Sequence, residues 1–341
     1  MKNKISKSVF FIAALFFGII IGVLIRHNPK SWAAIKALYA NNSTSSKKNN
    51  WDNAFSIASI KSSLDSTIQK AYYYQTKSKS PKPLIVSLHT WSGDYTQYDA
   101  LAELCCNKDL NYIHPDFRGP NNSSEACCSD LVLSDIDDAI TYALENFNVD
   151  SDQIYIIGFS GGGYATLSTF MKSKHDIKKF SAWASISDLV AWHKESKILQ
   201  NFEYVDDILR CTESDGKLNM EFAQQKSPIN WQTPVHKLEH QKLNIYAGIY
   251  DGLQGNVPIT HSINFYNKVL KDLNVKDSVY YVSEREKLLL LEKRESLGKF
   301  GNLSDRQIFL KKTCKNISLE IFEGEHEILS EYALNELLSS N

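Results

Sequence analysis

The chain has 341 residues, of which 43% are hydrophobic and 23% are charged, and its formal net charge is -1. This length allows one large domain or two small ones, each with a sizeable core. The near-neutral charge provides no electrostatic attraction to nucleic acid or to an acidic lipid surface, so no nucleic-acid partner is expected.

The first 30 residues differ from the rest of the chain. Lys2, Lys4 and Lys7 precede an unbroken run of apolar or small residues from Val9 to Ile25. Basic residues before such a run suit a cytosolic N-terminus. No small-x-small cleavage site follows clearly, which favours a signal anchor and leaves a cleaved signal peptide open. The remainder is therefore expected to be exported, either membrane-anchored through residues 1–30, or secreted or periplasmic after cleavage.

The stretch NNSTSSKKNN at 41–50 is polar and of low complexity. It predicts a linker over residues 31–50 and a folded domain over residues 51–341.

Apolar, strand-like runs alternate with helix-like stretches along this domain. The runs span 84–90, 111–117, 154–160, 180–187, 243–250 and 317–322. Near-continuous apolar strands predict a mostly parallel sheet with helices on both faces. Residues 67–75 alternate more and predict an antiparallel edge strand, while 131–147 predicts a helix.

The cysteines are Cys105, Cys106, Cys127, Cys128, Cys211 and Cys314. None forms a C-x-x-C pair, so no structural zinc site is expected, and the sequence implies no other metal or cofactor. Export permits disulfides. The two vicinal pairs predict a bridge between 105/106 and 127/128, with buried free thiols as the alternative.

The stretch IYIIGFSGGGYATL at 154–167 carries one hydroxyl between a strand-like and a helix-like run. Residues 158–162 fit the G-x-S-x-G pattern of a nucleophile elbow, in which the serine sits on a strained turn between strand and helix. A glycine-rich turn or a phosphate loop is the alternative, but the Lys-[Ser/Thr] pair of a phosphate loop is missing. Ser160 is therefore the predicted nucleophile.

A serine nucleophile needs a base and an acid that orients the base. His326 follows the last predicted strand in a glycine-containing loop, whereas the sequence contexts of His193, His236 and His240 suggest surface positions and that of His261 suggests capping or packing. Asp251 directly follows the strand at 243–250 and is preferred as the acid. Asp188 also follows a strand, but one strand too early, and its alternative role is a helix cap.

The oxyanion of an acyl-transfer intermediate needs two N–H donors. The Gly161 N–H follows the nucleophile at a predicted helix N-terminus. The loop LHTWSGD after the first long strand supplies the second, for which the Trp91 N–H is the candidate. His89 in this loop is expected to be buried and to shape it.

Several motifs together resemble the catalytic domain of the prolyl oligopeptidase family, within the α/β-hydrolase superfamily, over about residues 82–335. They are LHTWSGD, DFRGP, DIDDAITYALENFNVDSDQIYIIGFSGGGYATL, YAGIYDGLQGNVPITHSINFYNKVL and FEGEHEIL. The resemblance implies an α/β-hydrolase fold, with Ser160 as nucleophile, Asp251 as orienting acid and His326 as base.

The chain also departs from this family. The family's full-length members carry an N-terminal β-propeller, and too little sequence precedes Leu84 here to build one. Thr90 replaces the usual glycine of a His-Gly pair. An insertion at about 282–315 precedes the His loop and is predicted to be helical, with SDRQ at 304–307 as a capping box for a second helix. An insertion at this place lies near the substrate entrance, where it could act as a lid over the active site.

These patterns predict an exported serine hydrolase that cleaves a peptide or an ester bond through an acyl-enzyme. An acyl-sugar esterase is the alternative within the same chemistry, since propeller-less relatives include such enzymes. The alternative of another class is a binding protein on a hydrolase scaffold. The expected partner is a small-molecule, acyl-sugar or peptide substrate, with membrane contact only through the N-terminal segment.

Overall fold

The computed structural model describes residues 51–339. The predicted signal segment and linker, 1–30 and 31–50, lie outside the described residues. Within the described part, no helix has the length and apolarity needed to cross a bilayer.

A mixed sheet of ten strands runs through the described residues. The strands are β1 Ser56–Lys61, β2 Ile68–Tyr74, β3 Lys82–Leu88, β4 Asn111–Pro115, β5 Val149–Phe159, β6 Lys179–Trp183, β7 Lys242–Gly248, β8 Asn302–Leu303, β9 Arg306–Cys314 and β10 Ile317–Phe322. Their spatial order is β1-β2-β4-β3-β5-β6-β7-β10-β9-β8. The central strands from β4 to β10 pair in parallel, and both flanks are antiparallel.

Helices cover both faces of this sheet. They are α1 Ala100–Asn107, α2 Asp130–Asn146, α3 Gly161–Lys172, α4 Leu189–Ile198, α5 Phe202–Cys211, α6 Met220–Gln225, α7 Thr260–Asp272, α8 Glu284–Glu292 and α9 Ser330–Leu338. Short 3₁₀ turns span Pro228–Asn230, Val235–Glu239 and Ser278–Tyr280. Helices α2, α3 and α7 contribute to a large core on one face, whereas α1 and α9 contribute to a smaller core on the other.

The apolar runs form strands because both of their faces are covered. In β5, Tyr155 and Ile157 belong to the smaller core and Ile156 to the larger one, and all three are buried. Burial of one such side chain stabilises the fold by about 1.5–3 kcal/mol. The parallel arrangement brings the carboxyl ends of β5, β7 and β10 to one edge of the sheet, so the loops that follow them meet there.

The predicted edge strand at 67–75 is antiparallel, but its edge position is wrong. β2 pairs with β4 on one side and with β1 on the other. The outer edge belongs to β1, a short strand whose exposed residues include Ser56, Ser59 and Lys61. Polar side chains on an edge strand discourage pairing with other chains.

The insertion is only partly helical. Its first half forms α8, which begins with a capping box between Ser283 and Glu286. The second predicted helix is wrong, because Ser304 has a φ of 57° in a tight turn between β8 and β9. β9 then pairs antiparallel with β10. Long-range strand pairing therefore overrides the local capping pattern, and the second half of the insertion is part of the sheet rather than a free lid.

The predicted disulfide is also wrong. Cys105 belongs to the smaller core and Cys127 to the larger one, so the sheet lies between the two pairs. The bridge instead joins Cys127 to Cys211, whose Cα atoms are 6.0 Å apart. The four other cysteines are free thiols.

This disulfide should stabilise the fold, because it closes a loop with a sequence separation of 84 residues. The chain-entropy relation predicts that the paired substitution Cys127→Ala/Cys211→Ala lowers the free energy of unfolding by about 4.6 kcal/mol. Denaturant unfolding of the two proteins measures the difference. Cys106→Ala, which removes a half-buried free thiol, serves as the control and should leave the transition nearly unchanged. Non-reducing peptide mapping that joins 105/106 to 127/128 would contradict the observed pairing.

Candidate active site

Ser160 lies on the sharp turn between β5 and α3. Its φ of 58° and ψ of -117° are strained for a residue with a side chain. The Ser160 N–H donates to the carbonyl of Trp183 on the neighbouring strand at 2.9 Å, which holds the turn in place. The hydroxyl is thereby presented at the carboxyl edge of the sheet.

The glycines around Ser160 are required by close backbone contacts. A Cβ atom on Gly158 would lie 2.1 Å from the carbonyl oxygen of Gly162. A Cβ atom on Gly162 would lie equally close, 2.1 Å, to the carbonyl oxygen of Leu88. Side chains at these positions would force strand and helix apart. The glycine-rich pattern is therefore explained by the packing of the elbow against β3.

The structure brings the three predicted triad residues together. The Nε2 atom of His326 is 2.9 Å from the Oγ atom of Ser160. The Nδ1 atom of His326 is 2.8 Å from the Oδ2 atom of Asp251. The Asp251 side chain is fully buried, while that of His326 is 15% exposed. The three residues follow β5, β7 and β10, as the order of strands predicts.

Asp251 is held by its own loop. Its Oδ1 atom accepts hydrogen bonds from the N–H groups of Gly252 at 2.9 Å and Val257 at 3.0 Å. A Cβ atom on Gly255 would lie 2.3 Å from this oxygen and 2.6 Å from the Cβ atom of His326. The loop thus leaves Oδ2 to face the imidazole and fixes its direction.

Asp188, the rival acid, has another role. Its carboxylate accepts hydrogen bonds from the N–H groups of Val190 at 2.8 Å and Ala191 at 3.2 Å, and it caps α4. The structure therefore places Asp251, and not Asp188, against His326.

The two predicted oxyanion donors lie side by side. A Cβ atom on Gly161 would lie 2.2 Å from the backbone nitrogen of Trp91. Among the described residues, no acceptor takes the Trp91 N–H. The Gly161 N–H opens α3, where the first N–H groups of a helix have no intrahelical partner. The Trp91 nitrogen therefore lies next to the residue that follows Ser160.

The loop that carries Trp91 is held by the buried side chain of His89. His89 is fully buried, with its ring stacked on Phe117 at a centroid distance of 3.8 Å and its Nε2 atom 2.6 Å from the carbonyl oxygen of Asp116. Burial lowers the pKa of His89 to about 4, so the ring is neutral at neutral pH. Thr90, which replaces the usual glycine, donates its N–H and its hydroxyl to the side-chain oxygen of Gln97.

Four other candidate histidines make no hydrogen bond to the triad within residues 51–339. His236 and His240 are exposed, as expected. His193, however, is buried, and burial lowers its pKa, so the predicted surface position is wrong. His261 is also buried and packs between α7 and α4, with its Nε2 atom 2.8 Å from Glu195.

The insertion contacts the His loop through the first residues of β9. The N–H of Glu323 donates to the carbonyl of Gln307 at 2.8 Å. The Nη2 atom of Arg306 is 3.5 Å from the Oε2 atom of Glu327, the residue that follows His326. The insertion therefore braces the loop that carries the imidazole.

Cavity size alone does not locate the triad. Two cavities of about 580 Å³ lie elsewhere, one lined by Lys172 and Trp231 and the other by His236 and His240. A smaller cavity of about 220 Å³ includes Phe159, whose ring centroid is 4.7 Å from that of His326. The hydrogen-bonded chain of side chains identifies the site better than volume does.

The sequence did not reveal what holds the Trp91 side chain. Its indole Nε1 atom donates to the Oδ2 atom of Asp207 on α5 at 3.0 Å. Asp207 is 6% exposed, although it lies in a charged stretch of the sequence. The available signal was the position of the Asp207 carboxylate on the buried face of an amphipathic helix, which indicates a buried partner. The sequence does not show that this partner is the Trp91 indole.

Comparison with known proteins identifies the family of the chain. The model of the prolyl oligopeptidase family matches residues 96–282, more than half of the chain. No curated protein matches the chain significantly.

Solved structures of larger proteins share the fold. Acylaminoacyl peptidase from Pyrococcus horikoshii has 21% identity and a TM-score of 0.50 over 64% of this chain and 35% of that protein. Prolyl oligopeptidase B from Galerina marginata has 15% identity and a TM-score of 0.52 over 66% and 33%. Oligopeptidase B from Leishmania major has 13% identity and a TM-score of 0.52 over 84% and 37%. The chain therefore spans about a third of the length of these proteins.

The similarity to solved structures establishes the fold. The match to the family model establishes the family. The sheet order, the elbow after β5 and the loops after β7 and β10 form an α/β-hydrolase domain. The chain belongs to the prolyl oligopeptidase family of serine hydrolases.

Proposed function

We propose that this protein is an exported serine hydrolase that cleaves a peptide or ester bond through an acyl-enzyme on Ser160. The observation that carries the proposal is the continuous chain of hydrogen bonds from Ser160 through His326 to Asp251. Such a chain activates a hydroxyl that is otherwise a weak nucleophile.

The geometry assigns one role to each atom. The Nδ1–H of His326 donates to Asp251, which leaves Nε2 as the acceptor of the Ser160 proton. As Oγ attacks the substrate carbonyl, negative charge develops on the carbonyl oxygen, and the N–H groups of Trp91 and Gly161 stabilise it. The imidazolium then protonates the leaving group. Water, deprotonated by the same imidazole, releases the acyl group and restores Ser160.

A peptide is the proposed substrate class, because the chain belongs to a family of peptidases. The ester alternative uses the same acyl transfer and differs only in the leaving group.

A substrate panel tests the proposal. The purified protein is assayed against Xaa-Pro amides, p-nitrophenyl acyl esters and acyl sugars, each beside the Ser160→Ala variant. Cleavage of amides that depends on Ser160 is the expected result. Turnover of esters or acyl sugars alone would assign an esterase. No Ser160-dependent turnover of any of them would favour a binding protein on a hydrolase scaffold.

Export rests on the N-terminal sequence pattern and is consistent with the Cys127–Cys211 disulfide, a bond that persists in oxidising compartments. Residues 1–30 then anchor the protein or are removed on export. Carbonate washing of membranes tests the anchor, and the mass of the N-terminal peptide tests cleavage. Recovery of the full-length protein with all six thiols reduced in the cytosol would contradict export.

A further inference from the structure

Trp91 combines a backbone nitrogen that lies beside Gly161 with a side chain that is fixed inside the protein. Its side chain is 2% exposed, and its ring contacts Trp192 edge-on at a centroid distance of 4.6 Å. Its N–H is the proposed oxyanion donor beside Gly161. Because the indole and the N–H belong to the same residue, a shift of the indole also moves the Trp91 N–H.

Asp207 fixes the indole from the far side of the chain. It lies on α5, 116 residues away, and its Oδ2 atom accepts the indole N–H at 3.0 Å. Its other oxygen accepts from Arg210 of the same helix. Both oxygens are thus occupied, and the carboxylate has one orientation.

The carbonyl of Trp91 is held as well. It accepts the backbone N–H of Asn121 at 2.8 Å and the side-chain Nδ2 group of Asn121 at 3.3 Å. The side-chain oxygen of Asn121 accepts from the N–H of Cys127 at 2.9 Å. Cys127 is bonded to Cys211, which is the last residue of α5. The helix that holds the indole is therefore tied covalently to the loop that holds the carbonyl.

We propose that Asp207 is a positioning residue that sets the place of the Trp91 N–H in the oxyanion hole. This inference rests on the proposed function. An oxyanion donor is effective only at about 2.7–3.1 Å from the developing charge, and loss of one donor costs about 10²–10³-fold in turnover. A misplacement of about 1 Å costs up to about 10²-fold. The hydrogen bonds of the Asp207 carboxylate go to Trp91 and Arg210, so its path to the oxyanion hole runs through Trp91.

The test separates turnover from binding. Asp207→Ala and Trp91→Phe each remove the indole hydrogen bond while the Trp91 N–H or its equivalent remains. Each should lower kcat by about 10- to 100-fold with little change in KM, because the donor acts on the transition state. The double variant should be no slower than the slower single variant, because both substitutions remove the same bond.

Two further variants serve as controls. Asp207→Asn keeps an oxygen that can accept the indole N–H and should restore kcat to within about threefold of the unmodified protein. Asp206→Ala removes an exposed carboxylate from the same helix and leaves the bond between Asp207 and the indole intact, so its kcat should be unchanged. Thermal unfolding of each variant shows whether the protein is folded at the assay temperature.

The outcomes are distinct from those of the proposed function. If the unmodified protein shows no Ser160-dependent turnover, the proposed function fails. If it does, and folded Asp207→Ala has the same kcat, the positioning role is overturned. Should Asp207→Ala not fold, Trp91→Phe decides, because an unchanged kcat there overturns the role equally. Additive losses in the double variant would also contradict it.

Discussion

Replacement of Ser160 by alanine should reduce turnover by on the order of 10⁶-fold, as loss of the nucleophile does in other serine hydrolases. The substitution removes the oxygen that contacts Nε2 of His326 and no apolar packing. Alanine keeps the Cβ atom, so the strain at a φ of 58° is unchanged and the protein should stay folded. The rate of cleavage of the best substrate, compared with the spontaneous rate, measures the loss.

Ser151→Ala provides the matched control for this prediction. Ser151 lies on the same strand as the elbow but is exposed. Surface substitutions of this kind usually change stability by less than about 0.5 kcal/mol. Its turnover should equal that of the unmodified protein. Retention of most activity in folded, pure Ser160→Ala would refute the mechanism.

Replacement of Asp251 by asparagine should lower turnover by on the order of 10⁴-fold, the loss known for this change in serine proteases. The asparagine fits the same space, but its amide group donates toward Nδ1 of His326 and favours the wrong tautomer. The proton would then sit on Nε2, which could no longer accept from Ser160. Single-turnover kinetics on an activated ester measures the acylation step directly.

Asp188→Asn is the natural comparison, because both aspartates end apolar strands. Its carboxylate accepts two backbone N–H groups at the start of α4, and an asparagine side chain can replace it as a cap. We expect a loss of at most about 1 kcal/mol of stability and nearly unchanged turnover. If Asp188→Asn were the inactive variant, Asp251 would not be the acid.

The central fold was predictable because its strands are buried on both faces. Six apolar runs became the six parallel strands, because near-continuous apolar runs are typical of strands in a doubly covered sheet. The positions of Ser160, Asp251 and His326 followed, because each ends a strand at the same edge of that sheet. Local sequence and topology point here to the same arrangement.

The flanks were less predictable, because long-range contacts decide them. SDRQ at 304–307 has the local pattern of a helix start, yet the pairing of β9 with β10 turns it into a strand start. The vicinal cysteines suggested a bridge, but spacing along the chain does not show on which face of the sheet each pair lies. Asp207 likewise acquires its partner only when α5 folds over the loop of Trp91.

Covalent labelling of the nucleophile tests the central claim most directly. The purified protein is treated with a fluorophosphonate, and the modified peptide is identified by mass spectrometry, with Ser160→Ala and Asp251→Asn in parallel. Such probes phosphonylate a serine that is activated by its base and held before an oxyanion hole. One adduct on Ser160 is expected, absent from Ser160→Ala and formed much more slowly in Asp251→Asn. A folded, active protein that acquires no adduct on Ser160 would contradict the assignment of Ser160 as the nucleophile.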